Sequence, residues 1–175
     1  MSKSRMLSMG LIFLIVGGLI GYAVHRPAPR PLAFPPGSTS VTRGSQLVTL
    51  GSCDDCHTPQ NPDGSPDMSR RFSGHPAGSA LPPAVPNVLT SLNLAWRGPW
   101  GLSLTRNITP GKAGISGWTL EQFIHTMRTG VDPSGHTLLP PMPVENYARL
   151  PDSDLTAIYN FIQTVPPSDN QVTGP

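Results

Sequence analysis

Apolar residues follow two regimes along the chain. From Met6 to Val24 no charged residue interrupts a run dominated by Leu, Ile, Val, Phe and Gly. At about 1.5 Å rise per residue, such a run makes roughly 28 Å of helix, close to the ~30 Å apolar core of a bilayer. Residues 1–25 are therefore expected to form a single membrane anchor. The alternative is a cleaved signal peptide, with Gly21-Tyr22-Ala23 as a poor small-x-small site. Its apolar core would usually run only about 7–15 residues. Residues 26–40 hold five prolines and follow neither a helical nor a strand period. They read as a polyproline-type spacer or a disordered linker.

Beyond residue 41 the pattern changes to short helical stripes separated by long unpatterned stretches. Val41, Leu47, Val48 and Leu50 predict a helix that stops at Gly51. Leu120, Phe123, Ile124 and Met127 predict another over Leu120–Thr129, with Thr119 and Gln122 spaced as a capping box and Gly130 as the stop. A helical turn is expected near Glu145–Leu150. A final helix over Asp152–Thr164 carries Leu155, Ile158, Tyr159 and Ile162 on one face. Pro151 stands where a side-chain cap is expected, leaving Asp152 as the substitute. Thr58–Leu94 has no period and reads as a long ordered loop; Ala95–Gly101 reads as an aromatic-rich turn.

Both cysteines of the chain fall in Cys53-Asp54-Asp55-Cys56-His57. C-x-x-C-H is the spacing of c-type haem attachment. Two thiols must reach the two vinyl groups on one porphyrin edge, and the following imidazole must turn onto the iron. A zinc site would need further ligands, and no second cysteine pair supplies them. A thioredoxin-like pair would want a βαβ context, and a disulfide across so short a loop would be strained. Composition fits a bound haem. With 13% charged and 6% aromatic residues, 22 prolines and 18 glycines, the chain is poorly equipped to fill a large core alone. The net charge is +2, but Lys3, Arg5, Arg26 and Arg30 precede residue 41, while every acidic residue lies at Asp54 or beyond. No clustered basic surface suggests nucleic acid as a partner.

Six-coordination needs a ligand opposite His57. The candidates are Met142, Met127, Met68, His75, His125 and His136. Met142 is favoured because prolines at 140, 141 and 143 restrict its backbone, which suits a weak thioether donor that must be presented. The plainer reading is a methionine filling a gap. His/Met ligation raises the reduction potential relative to bis-histidine, the outcome if His136 served instead. Met68 and His75 read as surface or packing residues, and His125 as solvated. The second ring proton of His57 is expected on a backbone carbonyl of the proline-rich loop that follows. Trp100, Arg106 and Trp118 are candidate propionate partners, although each taken singly reads more readily as an ordinary packing or solvated residue.

Arg43-Gly44, the C-x-x-C-H motif with Thr58-Pro59, Ala95–Gly101, Asn107-Ile108-Thr109-Pro110, Gly117-Trp118-Thr119, Arg128-Thr129-Gly130 and Leu139–Pro143 form an ordered series. In this series the chain resembles the class I c-type cytochromes, and among them the bacterial monohaem, membrane-associated group. The resemblance implies an all-α class I cytochrome c fold over residues 41–175, behind a single N-terminal transmembrane helix. It implies one haem c on Cys53 and Cys56, with His57 proximal and Met142 distal, and the first helix (Gly44, Leu47, Val48) crossing the last (Ile158, Tyr159, Ile162). The segment between His57 and Asn107 is longer than the shortest members require. The implied role is a non-enzymatic carrier of single electrons between respiratory complexes, tethered to the inner membrane with its haem domain outside the cytoplasm. Its partners would be the membrane and redox proteins, a quinol-oxidising or dehydrogenase complex as donor and an oxidase or similar acceptor, with no substrate at iron. One alternative is a fixed subunit of a larger oxidoreductase, to which the Gly17/Gly21 pair hints at close helix packing. The other is a gas-binding or catalytic haem protein. No catalytic triad, nucleotide loop or paired-carboxylate arrangement is present.

Overall fold

Helix α1, Ser40–Leu50, starts where Thr39 accepts the Thr42 N–H on its hydroxyl and stops at Gly51, whose N–H donates to Leu47 O. The computed structural model to which it belongs describes residues 39–174. The buried face of α1 is Gly44, Leu47 and Val48. Val41 and Leu50 of the expected stripe are exposed, so the helix buries a narrower face than its apolar count suggests. Against that face lies α5, Asp152–Ile162, burying Leu155, Ala157, Ile158, Phe161 and Ile162. The crossing depends on Gly44. A Cβ there would lie 1.9 Å from Ala157 O and 2.6 Å from Phe161 Cβ, so only glycine lets the backbones approach. Arg43 Nε and Nη2 donate to the two carboxylate oxygens of Asp154 at 2.8 and 2.7 Å, clamping the same crossing.

The shorter helices complete the wall. A one-turn helix, α2, spans Cys53–His57. Helix α3, Leu120–Thr129, has the expected capping box between Thr119 and Gln122 and ends on Gly130 at φ 71°. It buries Phe123, Thr126 and Met127, and the Phe123 ring meets that of Tyr159 at 5.4 Å. Tyr159 also donates its hydroxyl to Trp118 O at 2.9 Å, so it faces the approach to α3. Helix α4 is Val144–Tyr147. Asp152 does not cap α5: no side chain does, and the Asp152 carboxylate accepts from Arg128 Nη2 instead.

The all-α expectation is corrected by a three-stranded antiparallel sheet, β1 Thr90–Leu92, β2 Ala95–Gly98 and β3 Gly101–Leu104, in that order. Trp96 pairs with Ser91 on one side and Ser103 on the other. The expected aromatic-rich turn is therefore strand β2 and the start of β3, and the expected loop contains β1 and a 3-10 turn at Met68–Arg70. The first hairpin turns through Asn93 and Leu94 at φ 49° and 61°. Both central residues are thus left-handed, as a primed hairpin turn requires, yet leucine stands where glycine would announce the turn. The second turn, Pro99-Trp100, leads into Gly101 at φ 99°.

Single-pass inner-membrane placement is corrected as well. Among the described residues no helix is long and apolar enough to cross a membrane. The Met6–Val24 run on which the anchor at residues 1–25 rested lies outside the described residues, as does residues 26–38 of the expected linker.

Candidate functional site

Ser52 enters α2 at φ 54°, a left-handed step that turns the chain out of α1 into a fresh helical turn. Cys53, Cys56 and His57 then fall on the wall of one cavity of about 600 Å³. That volume is within the range of buried cofactor sites, roughly 300–1,000 Å³. Most of its lining is apolar, including Ile108, Ile115, Phe123, Met127, Ile158 and Ile162. Met142 lines the same cavity, so the thiols, the imidazole and the thioether share one enclosure although Met142 is far along the chain.

His57 is held in a defined tautomer. Its Nδ1 lies 3.0 Å from Arg106 O. A carbonyl only accepts, so Nδ1 carries the proton and Nε2 keeps its lone pair. Burial pushes the imidazole pKa below its ordinary value, against smaller opposing pulls from the Arg106 carbonyl and Asp54. The ring is thus neutral at neutral pH and offers a nitrogen donor. The expected carbonyl partner exists, but it comes from the segment after β3 and not from the loop directly following His57. The loop contributes differently, through Gly74 N–H, which donates to His57 O at 2.9 Å.

The thiols are protonated and unpaired by any disulfide. Burial pushes the Cys53 thiol up to about 11, and burial likewise raises Cys56. Such thiols are not the low-pKa nucleophiles of a redox pair. Nor do they form part of a protein metal cage: among the described residues no group of three or more His, Cys, Asp or Glu side chains converges. Two neutral thiols, one neutral imidazole, one thioether and an apolar enclosure fit a covalently fastened macrocycle that brings its own metal and most of its ligands.

Asp54 and Tyr147 support the motif, in roles that no spacing or pattern along the chain announces. Asp54 accepts from Arg71 Nε and Nη2 at 2.7 and 2.6 Å, and the Arg71 guanidinium lies 4.8 Å over Phe72 and 4.9 Å over Phe161. Phe72 is fully buried despite φ 62°, which is unusual for a bulky residue. The Tyr147 hydroxyl donates to Gly51 O at 2.6 Å and lies 3.8 Å from Cys53 Sγ. With its own proton on Gly51, it receives the thiol hydrogen. Both contacts join residues far apart in sequence, beyond the reach of any periodicity.

Of the remaining expected residues, Arg106 and Trp118 line the cavity and Trp100 does not. The Arg106 guanidinium donates to Val172 O at 2.8 Å and Gly174 O at 3.1 Å. Trp100 Nε1 donates to Ser103 Oγ at 3.3 Å. Met127 and His136 also line the cavity, whereas Met68, His75 and His125 do not. Met68 and His125 are exposed; His75 is buried with Nδ1 on Asn93 O.

No family model matches the chain. It is 30% identical over 90% of its length to the fructose dehydrogenase cytochrome subunit of Gluconobacter japonicus, of which it spans 27%. It is 28% identical over 94% of its length to a diheme cytochrome c-type protein of Cereibacter sphaeroides, spanning 50% of that protein. It is 31% identical over 69% of its length to the cytochrome c subunit of the quinone alcohol dehydrogenase of Gluconobacter oxydans, spanning 20% of it. The chain therefore covers half or less of each of these relatives. Joined to a cavity that gathers both thiols and His57, these likenesses support the c-type cytochrome family for this chain, at low identity.

Proposed function

We propose that this chain is an electron-transfer subunit of a dehydrogenase complex, carrying a single haem c. The carrying observation is His57, whose Nδ1–H is fixed on Arg106 O and which lines one cavity with Cys53, Cys56 and Met142. Cys53 and Cys56 would hold the thioethers, His57 the proximal position and Met142 the distal one. When bound, haem c supplies reversible one-electron chemistry at its iron. The residues around it orient and protect. Tyr147, fixed on Gly51 O, packs beside Cys53 Sγ, Arg106 O orients the imidazole, and Phe123, Met127, Ile158 and Ile162 keep water from the apolar side.

Names of the relatives support a subunit over a free carrier, because several are cytochrome subunits of dehydrogenases. Expression in a host competent for cytochrome c maturation tests the cofactor. The pigment is expected to resist extraction by acidified acetone, and to become extractable or be lost in Cys53→Ala/Cys56→Ala. A colourless wild-type chain from such a host overturns the reading. Gentle purification tests the partner: stoichiometric recovery with a dehydrogenase supports a subunit, and a clean monomer favours the free carrier.

A further inference from the structure

We propose that Ser103, on β3, is a positioning residue for the Met142 thioether, so that the inserted sheet holds the distal loop in place. This rests on the reading of Met142 as the distal ligand. Residues 139–143 read Leu-Pro-Pro-Met-Pro, and three of these five positions have no backbone N–H to donate. The backbone bonds that remain are local: Met142 N–H donates to Leu139 O at 3.3 Å, Val144 N–H to Met142 O at 3.0 Å, and the Asn146 and Tyr147 N–H groups to Pro143 O at 3.0 and 3.4 Å. Among the described residues, the segment's one hydrogen bond to a distant element is from Ser103 Oγ to Pro140 O, at 2.6 Å.

That bond is part-buried, its donor side buried and supported from behind. Ser103 is 8% exposed, so water competes little for its hydroxyl. Trp100 Nε1 donates to Ser103 Oγ at 3.3 Å, leaving the hydroxyl hydrogen directed at Pro140 and polarising it further. Gly98 makes room for the indole: a Cβ there would lie 2.5 Å from the Trp100 ring. A chain of contacts therefore runs from the β2–β3 turn through Trp100 and Ser103 to the carbonyl two residues before Met142. A thioether is a weak donor that its backbone must present, and the restricted prolines set the loop's shape without setting its distance from the opposite wall. The Ser103 hydroxyl supplies that distance.

The test uses the haem-loaded full chain and its Ser103→Ala, Ser103→Thr, Trp100→Phe and Met142→Ala variants. Two measurements are made: the far-red sulfur-to-iron band of the oxidised protein and the rate of carbon monoxide uptake by the reduced protein. In Ser103→Ala the band weakens or vanishes and uptake rises about ten-fold, the lower end for loss of a group supporting a metal ligand. Ser103→Thr keeps the hydroxyl and stays near wild type, and Trp100→Phe shifts both readouts in the same direction as Ser103→Ala but less. Resistance of the pigment to acidified acetone shows that the haem is attached, and an unchanged far-ultraviolet spectrum that each variant is folded; if Ser103→Ala fails there, Trp100→Phe carries the decision. Unchanged band and uptake in the folded Ser103→Ala, or in Trp100→Phe where that variant decides, overturn the positioning role alone, as does a Ser103→Thr that behaves like alanine. A wild-type band that is absent, or that survives Met142→Ala, overturns the ligand reading and this inference with it.

Discussion

At the scale of single residues, the Tyr147 hydroxyl ties the end of α1 to the first thiol. It donates to Gly51 O at 2.6 Å and stands 3.8 Å from Cys53 Sγ, while the ring is buried. Tyr147→Phe keeps the ring and leaves the Gly51 carbonyl without its donor. Urea unfolding of the haem-loaded protein is expected to show a loss of about 1–2 kcal/mol, the usual cost of a buried acceptor left unmatched. A loss indistinguishable from zero would mean that water reaches Gly51 O. The motif residues themselves could be read from the sequence, because the spacing of Cys53, Cys56 and His57 is the chemistry. Their supports could not. Arg106 enters as a backbone carbonyl, which any residue could have offered, and its position beside His57 depends on how the intervening sheet folds.

Among the elements, the helices were legible and the strands were not, for a physical reason. Helix α3 declares itself locally, through Thr119 and Gln122 three residues apart and Gly130 at its end. Strands β1 and β2 are short, and their turn places Leu94 at φ 61°, so the residue that should mark a hairpin is missing. The α1–α5 crossing is the element contact with least tolerance. Gly44→Ala puts a methyl 1.9 Å from Ala157 O, a backbone atom that cannot rotate away. Thermal or urea unfolding should show a loss of about 1–3 kcal/mol, the range for overpacking a tight contact. A second element joint, α2 to the segment after Met68–Arg70, is the two-pronged Asp54–Arg71 pair, with side chains 19% and 20% exposed. A double-mutant cycle with Asp54→Asn and Arg71→Gln should give a coupling of about 1–2 kcal/mol, above the value for surface pairs because this one is half-buried and bidentate. Coupling near zero would reduce it to a surface contact.

Across the whole molecule, polarity is distributed to suit a lasting interface more than a passing encounter. From Pro76 to Trp96 the chain has no charged residue and no histidine. Within it Leu81, Val85, Val88, Leu89 and Leu92 are exposed, Leu89 by 59%. Exposed apolar residues gathered in one uncharged stretch are the material of interaction sites. The stretch leads into the sheet that lines the cavity: Leu92 is in β1, β1 pairs with β2, and Trp96, Ser103 and Leu104 are cavity-lining residues. Under the proposed function, the occupant would be an uncharged face of the dehydrogenase subunit. Transient redox encounters rely on charge and weaken with salt, whereas an apolar face holds or tightens as salt rises. Co-purification should therefore persist at high salt. Val85→Asp/Leu89→Asp should abolish it while leaving the isolated chain's unfolding free energy within about 0.5 kcal/mol of wild type, as surface substitutions usually do. Release by salt, with the double aspartate variant still bound, would place the partner on a charged face elsewhere and leave this apolar stretch without that role.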